Sequence, residues 1–251
     1  YFIVEEGYMF GKILDILKRK AAKGLDVRFV YDDFGCVTTL PAGYYRQMEA
    51  WGIRCVRFNP LYPVMSVIMN NRDHRKILVV DGKVGFTGGI NLADEYINRI
   101  ERFGYWKDTG LRLEGEGVWS FTVMFLEMWD YVYKTRETDL SKFRPETYQT
   151  EPFLSDGFVQ PYTDSPLDHE TVGENIYLNI INRAERYVYI FTPYLITDNE
   201  MVTALQNAAK SGIDVRIVMP GIPDKKVVYW MSQSYYEPLI ACGVRIFQFK
   251  P

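Results

Sequence analysis

Cysteine, long apolar runs and an excess of positive charge are all scarce or missing in this sequence. Cys36, Cys55 and Cys242 are an odd number of cysteines without metal-ligand spacing, which argues against a disulfide framework or a zinc site and favours a reducing compartment. The 32 Asp and Glu residues outnumber the 29 Lys and Arg residues, so no general basic field would attract a nucleic acid. No uninterrupted apolar stretch approaches the roughly 20 residues that span a bilayer. The composition thus disfavours a disulfide-rich protein, a nucleic-acid binder and a membrane span within these residues.

What the sequence does contain is a packed-core composition, 47% hydrophobic over 251 residues, and a block that occurs twice. Residues 21–30 recur as 208–218, and residues 44–60 recur as 235–251. In both copies a helix end is followed by a glycine, where positive φ is easy, and then by a β-branched strand. We therefore predict a duplicated α/β unit, with chance similarity of two helix-glycine-strand units as the alternative.

Between the two copies lie a predicted helix and a predicted linker. Residues 114–129 carry aromatic side chains at a spacing typical of a core helix, and residues 138–152 are rich in Thr, Pro and charge. We place the domain boundary in this linker, with residues 1–150 as the first half and residues 151–251 as the second. Residues 1–4 are predicted to be a strand and are preceded by no methionine or signal segment, so we expect a fragment of a longer protein.

The segment that carries the chemistry contains His74 and Lys76, followed by an apolar run, a turn at Asp81-Gly82 and a second apolar run. This pattern predicts a β-hairpin in which residues i and i+2 share a face, so that the histidine and the lysine converge while Arg75 points away as a solvated charge. A neutral imidazole is a nucleophile for phosphorus near pH 7, and an ammonium stabilises the charge that develops on phosphoryl oxygens. The pair indicates a phosphodiester-cleaving site that needs no metal ion.

Asn91 is a candidate third ligand for the same phosphate. It follows the glycine pair Gly88-Gly89, where flexible backbone and a side-chain amide could both donate hydrogen bonds. Glycines in this region superficially suggest a dinucleotide loop, but they follow a hairpin and do not lead from a strand into a helix. We predict no nucleotide cofactor.

Two other features have less specific interpretations. The second of the two histidines, His169, is interpreted as a structural or surface residue because its neighbours form no recognisable motif. The most apolar loop, residues 60–69, precedes the His-Lys segment directly. Exposed, it would meet acyl chains at a membrane surface, and buried, it would belong to the core; both interpretations remain open.

The sequence His-x-Lys, four residues, Asp, and then Gly-Gly-x-Asn resembles the signature of the phospholipase D superfamily. The spacing from Lys76 to Asp81 is moderately specific alone and becomes strong with the Gly-Gly-x-Asn extension and the duplication. Similarity to bacterial cardiolipin synthases covers nearly the whole chain and is carried by residues 70–77, 87–96, 106–108 and 192–195. The resemblance implies an α/β, phospholipase D-like fold of two similar α-β-α sandwich halves related by a pseudo-twofold axis, the second half being incomplete here.

The resemblance also implies a mechanism without a cofactor or metal. One histidine attacks phosphorus to form a phosphohistidine, while the histidine of the other half protonates the leaving alcohol. In cardiolipin synthases two phosphatidylglycerol molecules give cardiolipin and glycerol. Carried over to this sequence, His74 would be the nucleophile or the general acid.

The remaining site residues are assigned by the same resemblance. Lys76 and Asn91 would bind phosphate, and Asp81, at the turn, would be chiefly structural. Asp108 matches the acidic residue that hydrogen-bonds the other nitrogen of the histidine. Gly89 departs from the pattern, since many members have serine or threonine there, and would offer phosphate only its backbone amide.

The implied partners are an anionic phospholipid, phosphatidylglycerol, and a membrane surface, with no nucleic acid; a homo-oligomer is left open. The implied location is the bacterial cell membrane, with the catalytic domain facing the cytoplasm and any membrane helices outside this chain. Two alternatives remain: another phosphodiesterase of the superfamily (a phospholipase, phosphatidylserine synthase or nuclease), and a non-catalytic module that binds lipid phosphate.

The family needs two His-Lys motifs, and the second copy of the repeated block ends at Pro251, the counterpart of Pro60. We therefore expect the second histidine to lie beyond these residues. It follows that the fragment alone should be inactive.

Overall fold

The computed structural model describes residues 1–61, 71–148, 157–165 and 170–250. The chain forms two compact units, one made of Tyr1–Arg102 with Trp106–Tyr162 and the other of Phe103–Tyr105 with Thr163–Pro251. Three features singled out from the sequence lie wholly or mostly outside the described residues: His169, the apolar loop at 60–69 from its third residue onward, and the predicted boundary at 150.

Both units combine helices with strands, which confirms the predicted α/β class. The helices of the first unit are α1 (Tyr8–Ala21), α2 (Asp33–Cys36), α3 (Tyr44–Ala50) and α4 (Val118–Tyr133), and its strands are β1 (Arg28–Asp32), β2 (Arg54–Phe58), β3 (Ile77–Val80), β4 (Val84–Gly88) and β5 (Gly110–Glu114). Those of the second unit are α5 (Val172–Asn182), α6 (Asn199–Lys210), α7 (Lys226–Gln233) and α8 (Tyr236–Ile240), with strands β6 (Tyr187–Phe191), β7 (Asp214–Pro220) and β8 (Arg245–Phe249).

The core of the first unit forms where amphipathic helices pack with the parallel pair of β1 and β2. Phe10 and Leu14 lie four residues apart on α1, and Tyr44 and Met48 lie four apart on α3, so each pair occupies one helix face. All four are buried in one cluster with Phe29 of β1. Burial of these side chains fixes the position of β1, whose carboxyl end contacts the His-Lys segment.

A second sheet in this unit is antiparallel, in the order β3-β4-β5, and confirms the predicted hairpin. Its tight turn is built on Asp81 and Gly82, whose φ angles of 54° and 66° are both positive. Two successive positive φ values are typical of the type I′ turn, which matches the right-handed twist of the paired strands. Helix α4 packs closely on this sheet, since a Cβ at Gly85 would overlap the ring of Phe121.

Two sequence-based boundaries differ from the structure. The helix predicted over residues 114–129 begins only at Val118, because Glu114 is the last residue of β5 and Gly115, with φ 95°, reverses the chain between the two elements. The strand predicted at residues 1–4 is reduced to a parallel bridge between Val4 and Leu92. Apolar periodicity located both segments but does not mark where a glycine turn interrupts them.

The second unit has one parallel sheet, in the order β6-β7-β8. Val215, Ile217 and Met219 alternate along the central strand and are buried with Leu205 and Ala208 of α6. Parallel strands covered by helices are expected to have this apolar character. None of the helices described here is long and apolar enough to cross a bilayer.

The predicted duplication is confirmed by residues that pair in the same register in both units. Arg28 of β1 lies opposite Arg54 of β2, and the carboxylate of Asp26 forms ion pairs with both. In the second unit Arg216 of β7 lies opposite Arg245 of β8, and Asp214 forms ion pairs with both. Parallel pairing places two guanidinium groups side by side in each unit, and one aspartate relieves their repulsion.

We expect Asp26→Asn and Asp214→Asn each to lower the melting temperature at neutral pH, because an amide leaves the two arginines uncompensated. Despite an opposing effect of partial burial, hydrogen bonds from the two arginines hold the pKa of Asp26 below its usual value, and those from Arg216 and Arg245 do the same for Asp214. A carboxylate whose pKa is lowered by folding stabilises above its unfolded pKa, about 4, and loses that effect as pH falls through the folded pKa.

Thermal denaturation over a pH series measures this effect. The difference in melting temperature between wild type and each variant should be largest at neutral pH. It should shrink as the pH drops below about 4 or as the salt concentration is raised. A difference that is the same at every pH would contradict the proposed origin.

Candidate active site

The structure brings the side chains of His74 and Lys76 into direct contact. Lys76 Nζ lies 3.0 Å from His74 Nδ1 and donates to the His74 carbonyl oxygen at 2.6 Å. The two residues lie just before β3, which begins at Ile77, and their side chains meet as the i, i+2 spacing predicts, although His74 is exposed and Lys76 is only 4% exposed. The exposed imidazole of His74 therefore lies in direct contact with the buried ammonium group of Lys76.

Burial changes the chemistry of this lysine. Removal from water lowers the pKa of Lys76 from 10.5 to about 8, while the carboxylates of Asp108 and Asp73 act in the opposite direction. A desolvated ammonium interacts more strongly with a nearby anion, because less water screens it. Lys76 is thus still mainly charged at pH 7 and is placed to bind an anionic group that approaches His74.

Phe2 forms the apolar wall of the site, a role that no sequence pattern indicated. Its ring centroid lies 4.6 Å from that of His74 with the planes tilted by 42°, and Lys76 Nζ lies 6.0 Å from the same ring. Contact with an aromatic face restricts the orientations of the imidazole and excludes water from one side of the lysine.

Asp108 and Gly89 lie against each other. The Asp108 carboxylate accepts hydrogen bonds from Trp106 Nε1 at 3.1 Å and from the Thr109 amide at 2.7 Å. A Cβ on residue 89 would overlap this carboxylate, so a serine or threonine here would require Asp108 to move. The Gly89 amide itself donates to the Thr109 carbonyl oxygen at 3.1 Å, so its predicted use as a phosphate donor would compete with that bond.

Asn91 is buried, at 3% exposure, and both ends of its amide have partners. Its Oδ1 accepts from the Ile3 amide at 3.1 Å, and its Nδ2 donates to the Tyr96 hydroxyl at 2.9 Å. An amide nitrogen carries two hydrogens, so phosphate binding by Asn91 would use the second one. The same residue also ties the N-terminal segment to the loop after β4.

Other charged residues near the motif lie apart from the His-Lys contact. Asp81 is exposed in the turn at the opposite end of β3, roughly 17 Å from Lys76 at the rise of an extended chain. Arg75 pairs with Asp73 at 2.9 Å. The predicted structural role of Asp81 fits this position, and Arg75 forms a partly exposed ion pair beside the motif.

Potential metal ligands cluster elsewhere. Among the described residues, three carboxylates that could share an ion are those of Glu174, Asp198 and Glu200 in the second unit, all partly or fully exposed. Asp198 also caps α6 by accepting from the Met201 amide at 2.8 Å. Exposed acidic groups of this kind are common at helix N-termini, where they offset the helix dipole.

The lowered pKa makes a prediction about Lys76→Met. Below pH 8 the folded and unfolded states both keep the proton, so wild type bears the full penalty of a buried charge that the variant lacks. Between pH 8 and 10.5 the folded state releases the proton first, so wild-type stability rises relative to the variant. With allowance for solvent screening, we expect the variant to be more stable at pH 7 by about 1–2 kcal/mol.

Chemical denaturation of both proteins at pH 7, 9 and 10.5 provides the measurement. The advantage of the variant should disappear across this series. Parallel stability curves for the two proteins would show that Lys76 does not titrate in this way.

The chain is similar to one protein family along most of its length. The family model described as cardiolipin synthase, PLD-like domain, matches residues 4–102 and 177–251. An uncharacterized protein of Streptococcus mutans is 54% identical over 254 residues, which cover 100% of this chain and 54% of that protein. Cardiolipin synthases of Alkalihalophilus pseudofirmus and Geobacillus thermodenitrificans are 39% and 38% identical, covering 99% and 100% of this chain and 49% of each relative. The chain spans about half the length of these relatives.

Among solved structures, a polyphosphate kinase from Porphyromonas gingivalis matches 88% of this chain and 32% of its own, with a TM-score of 0.46 and 16% identity.

Proposed function

This chain belongs to the family of cardiolipin synthase phospholipase D-like domains, and we propose that it forms the first half of a phosphodiester-cleaving site in a cardiolipin synthase-type phosphatidyltransferase. The proposed reaction joins two phosphatidylglycerol molecules into cardiolipin and releases glycerol. The proposed setting is the cytoplasmic face of a bacterial membrane, where the substrate is an anionic phospholipid in the bilayer.

The contact between Lys76 and His74 is the observation that carries this proposal. A phosphodiester bears one negative charge, which the Lys76 ammonium can bind, and its phosphorus needs a nucleophile or an acid beside it, which the exposed imidazole can supply. The two groups are 3.0 Å apart, close enough to act on one phosphate. A surface lysine and a surface histidine would not combine burial of the cation with exposure of the ring.

Phosphate binding would change the partner of Lys76. With the ammonium donating to Nδ1, a neutral His74 carries its proton on Nε2. Phosphate oxygens are charged acceptors and compete well for the ammonium. Once Lys76 turns to phosphate, Nδ1 can hold the proton and donate it to a carboxylate, for which we propose Asp108, and Nε2 is left with its lone pair.

In the proposed reaction one histidine forms the bond to phosphorus and the other transfers the protons. The Nε2 lone pair forms a bond to phosphorus while the bond from phosphorus to the glycerol oxygen breaks, and that oxygen takes a proton from the second histidine. The hydroxyl of the second phosphatidylglycerol attacks the phosphohistidine, gives its proton to the same second histidine, and breaks the P–N bond. With the roles of the histidines exchanged, His74 would be the acid and base.

The remaining assignments are part of the same proposal. Asn91 would donate its second amide hydrogen to phosphate. Gly89 would donate its backbone N–H to phosphate after its hydrogen bond to the Thr109 carbonyl oxygen breaks. Asp81 would fix the hairpin turn. The second histidine would come from residues outside these 251, or from another copy of the chain.

Full-length protein supplied with phosphatidylglycerol vesicles should release cardiolipin and glycerol in equal amounts, and His74→Ala should reduce the rate by at least roughly 1,000-fold. The matched control is His169→Ala, which removes the other histidine of this chain and should leave the rate near wild type. Quenching under alkaline denaturing conditions, with lipid radiolabelled at phosphorus, should trap a phosphoenzyme, because the P–N bond of a phosphohistidine is stable to base and is cleaved by acid.

The outcomes separate the alternatives. Undiminished product from His74→Ala would rule out the assignment of His74. Phosphatidic acid as the main product would indicate a phospholipase, and tight lipid binding with neither product nor phosphoenzyme would indicate a non-catalytic module.

We expect the 251-residue chain by itself to have negligible turnover in this assay, because the proposed reaction uses two histidines of the His-x-Lys type and His74 is the one assigned here. Sedimentation analysis run in parallel shows whether two copies pair. Turnover by a monomeric chain would contradict the division of the site between two halves.

A further inference from the structure

Asp32 is a buried acidic residue that contacts the segment leading into His74, although it lies 42 positions before that histidine in the sequence. It is the last residue of β1, and its side chain has 0% exposure. Its Oδ2 accepts a hydrogen bond at 3.1 Å from the backbone amide of Asp73, the residue directly before His74. Oδ1 accepts from the amides of Phe34 and Gly35 at 2.9 and 3.1 Å.

The residues around Asp73 depend on such contacts, because residues 71–76 form no helix or strand of their own. Arg72 lies 3.5 Å from Asp32 Oδ1 and donates to the Asn59 carbonyl oxygen at 2.8 Å, and Asn59 Nδ2 donates to the Asn71 carbonyl oxygen at 2.8 Å. Asp32 thus joins the carboxyl end of β1 to the backbone that delivers His74 and Lys76.

Asp32 is also linked to the aromatic ring that contacts the imidazole. By accepting from the Gly35 amide, it shapes the turn into α2, and Gly35 lies so close to the Phe2 carbonyl oxygen that a Cβ would overlap it. Phe2 in turn packs its ring on His74 at 4.6 Å. One carboxylate therefore fixes both the backbone before His74 and the segment that supports Phe2.

The second unit shows that the strand pair itself does not need this carboxylate. Asp32 lies opposite Phe58 in the pairing of β1 with β2, and Pro220 lies opposite Phe249 in the pairing of β7 with β8. Proline offers no acceptor in its side chain, yet the same parallel register forms. The hydrogen bonds of Asp32 are thus additional to what the fold requires.

We infer that Asp32 is a positioning residue that sets the location of His74 and Lys76 through the Asp73 backbone and the Phe2 wall. It touches no substrate, and the kinetic part of the inference rests on the proposed function. A displacement of about 1 Å at a reacting group can cost roughly 100-fold in rate, so loss of this anchor should affect the chemical step more than binding.

The test uses Asp32→Asn in full-length protein, since asparagine has the same shape but presents an NH2 group toward backbone donors. We expect a cooperative thermal transition, a kcat lowered by roughly 10- to 100-fold, and a KM within about twofold of wild type. The imidazole resonances of His74, identified by their loss in His74→Ala, should shift. Asp26→Asn, which removes a carboxylate just before the same strand, should leave kcat and these resonances unchanged.

Asp32→Glu keeps the charge and acceptors and moves them by one methylene, so it decides the question if Asp32→Asn does not fold; it should fold and lower kcat. Wild-type kcat or unshifted His74 resonances in a folded variant would overturn the inference. Loss of cooperative folding in both variants would also overturn it, by making Asp32 a residue of the fold alone. If wild-type protein makes no cardiolipin but Asp32→Asn shifts the His74 resonances, the proposed function fails and the positioning role stands.

Discussion

An ammonium group removed from water needs acceptors, and Lys76 has them in the carbonyl oxygen and the imidazole of His74. The surrounding structure follows from this requirement. The carboxylates of Asp108 and Asp73 oppose the lowering of the Lys76 pKa by burial and so favour the charged form. The Phe2 ring covers one side of the ammonium group. The result is a charge held in low dielectric at the edge of the molecule, where its field acts strongly on an arriving anion.

Local patterns were enough to predict much of this arrangement. Alternating apolar residues predicted the hairpin, and the i, i+2 spacing predicted the meeting of His74 with Lys76. Contacts over long sequence distances left no such trace: Phe2 reaches His74 from 72 positions away, and Asp32 reaches Asp73 from 41. A glycine turn likewise hid the true start of α4, because periodicity describes the face of a helix and not its end.

The two copies of the α/β block retain different things. The aspartate that compensates paired arginines occurs in both, as Asp26 and Asp214, because any parallel pair with arginines in register meets the same repulsion. At the carboxyl end of the strand the copies differ, with Asp32 in one and Pro220 in the other. The shared aspartates thus serve the sheet, and Asp32, found in one copy alone, contacts the segment that carries His74 and Lys76.

The Asp81-Gly82 turn gives the spacing between Lys76 and Asp81 a meaning beyond chemistry. A four-residue strand, β3, separates the cation from a turn whose positive φ values fix how β3 and β4 align. Adding one residue to this strand would exchange its inward and outward side chains and turn Lys76 from the interior to the surface. The spacing between Lys76 and Asp81 is therefore structural as well as catalytic, because it sets the length of β3 before the chain turns back into β4.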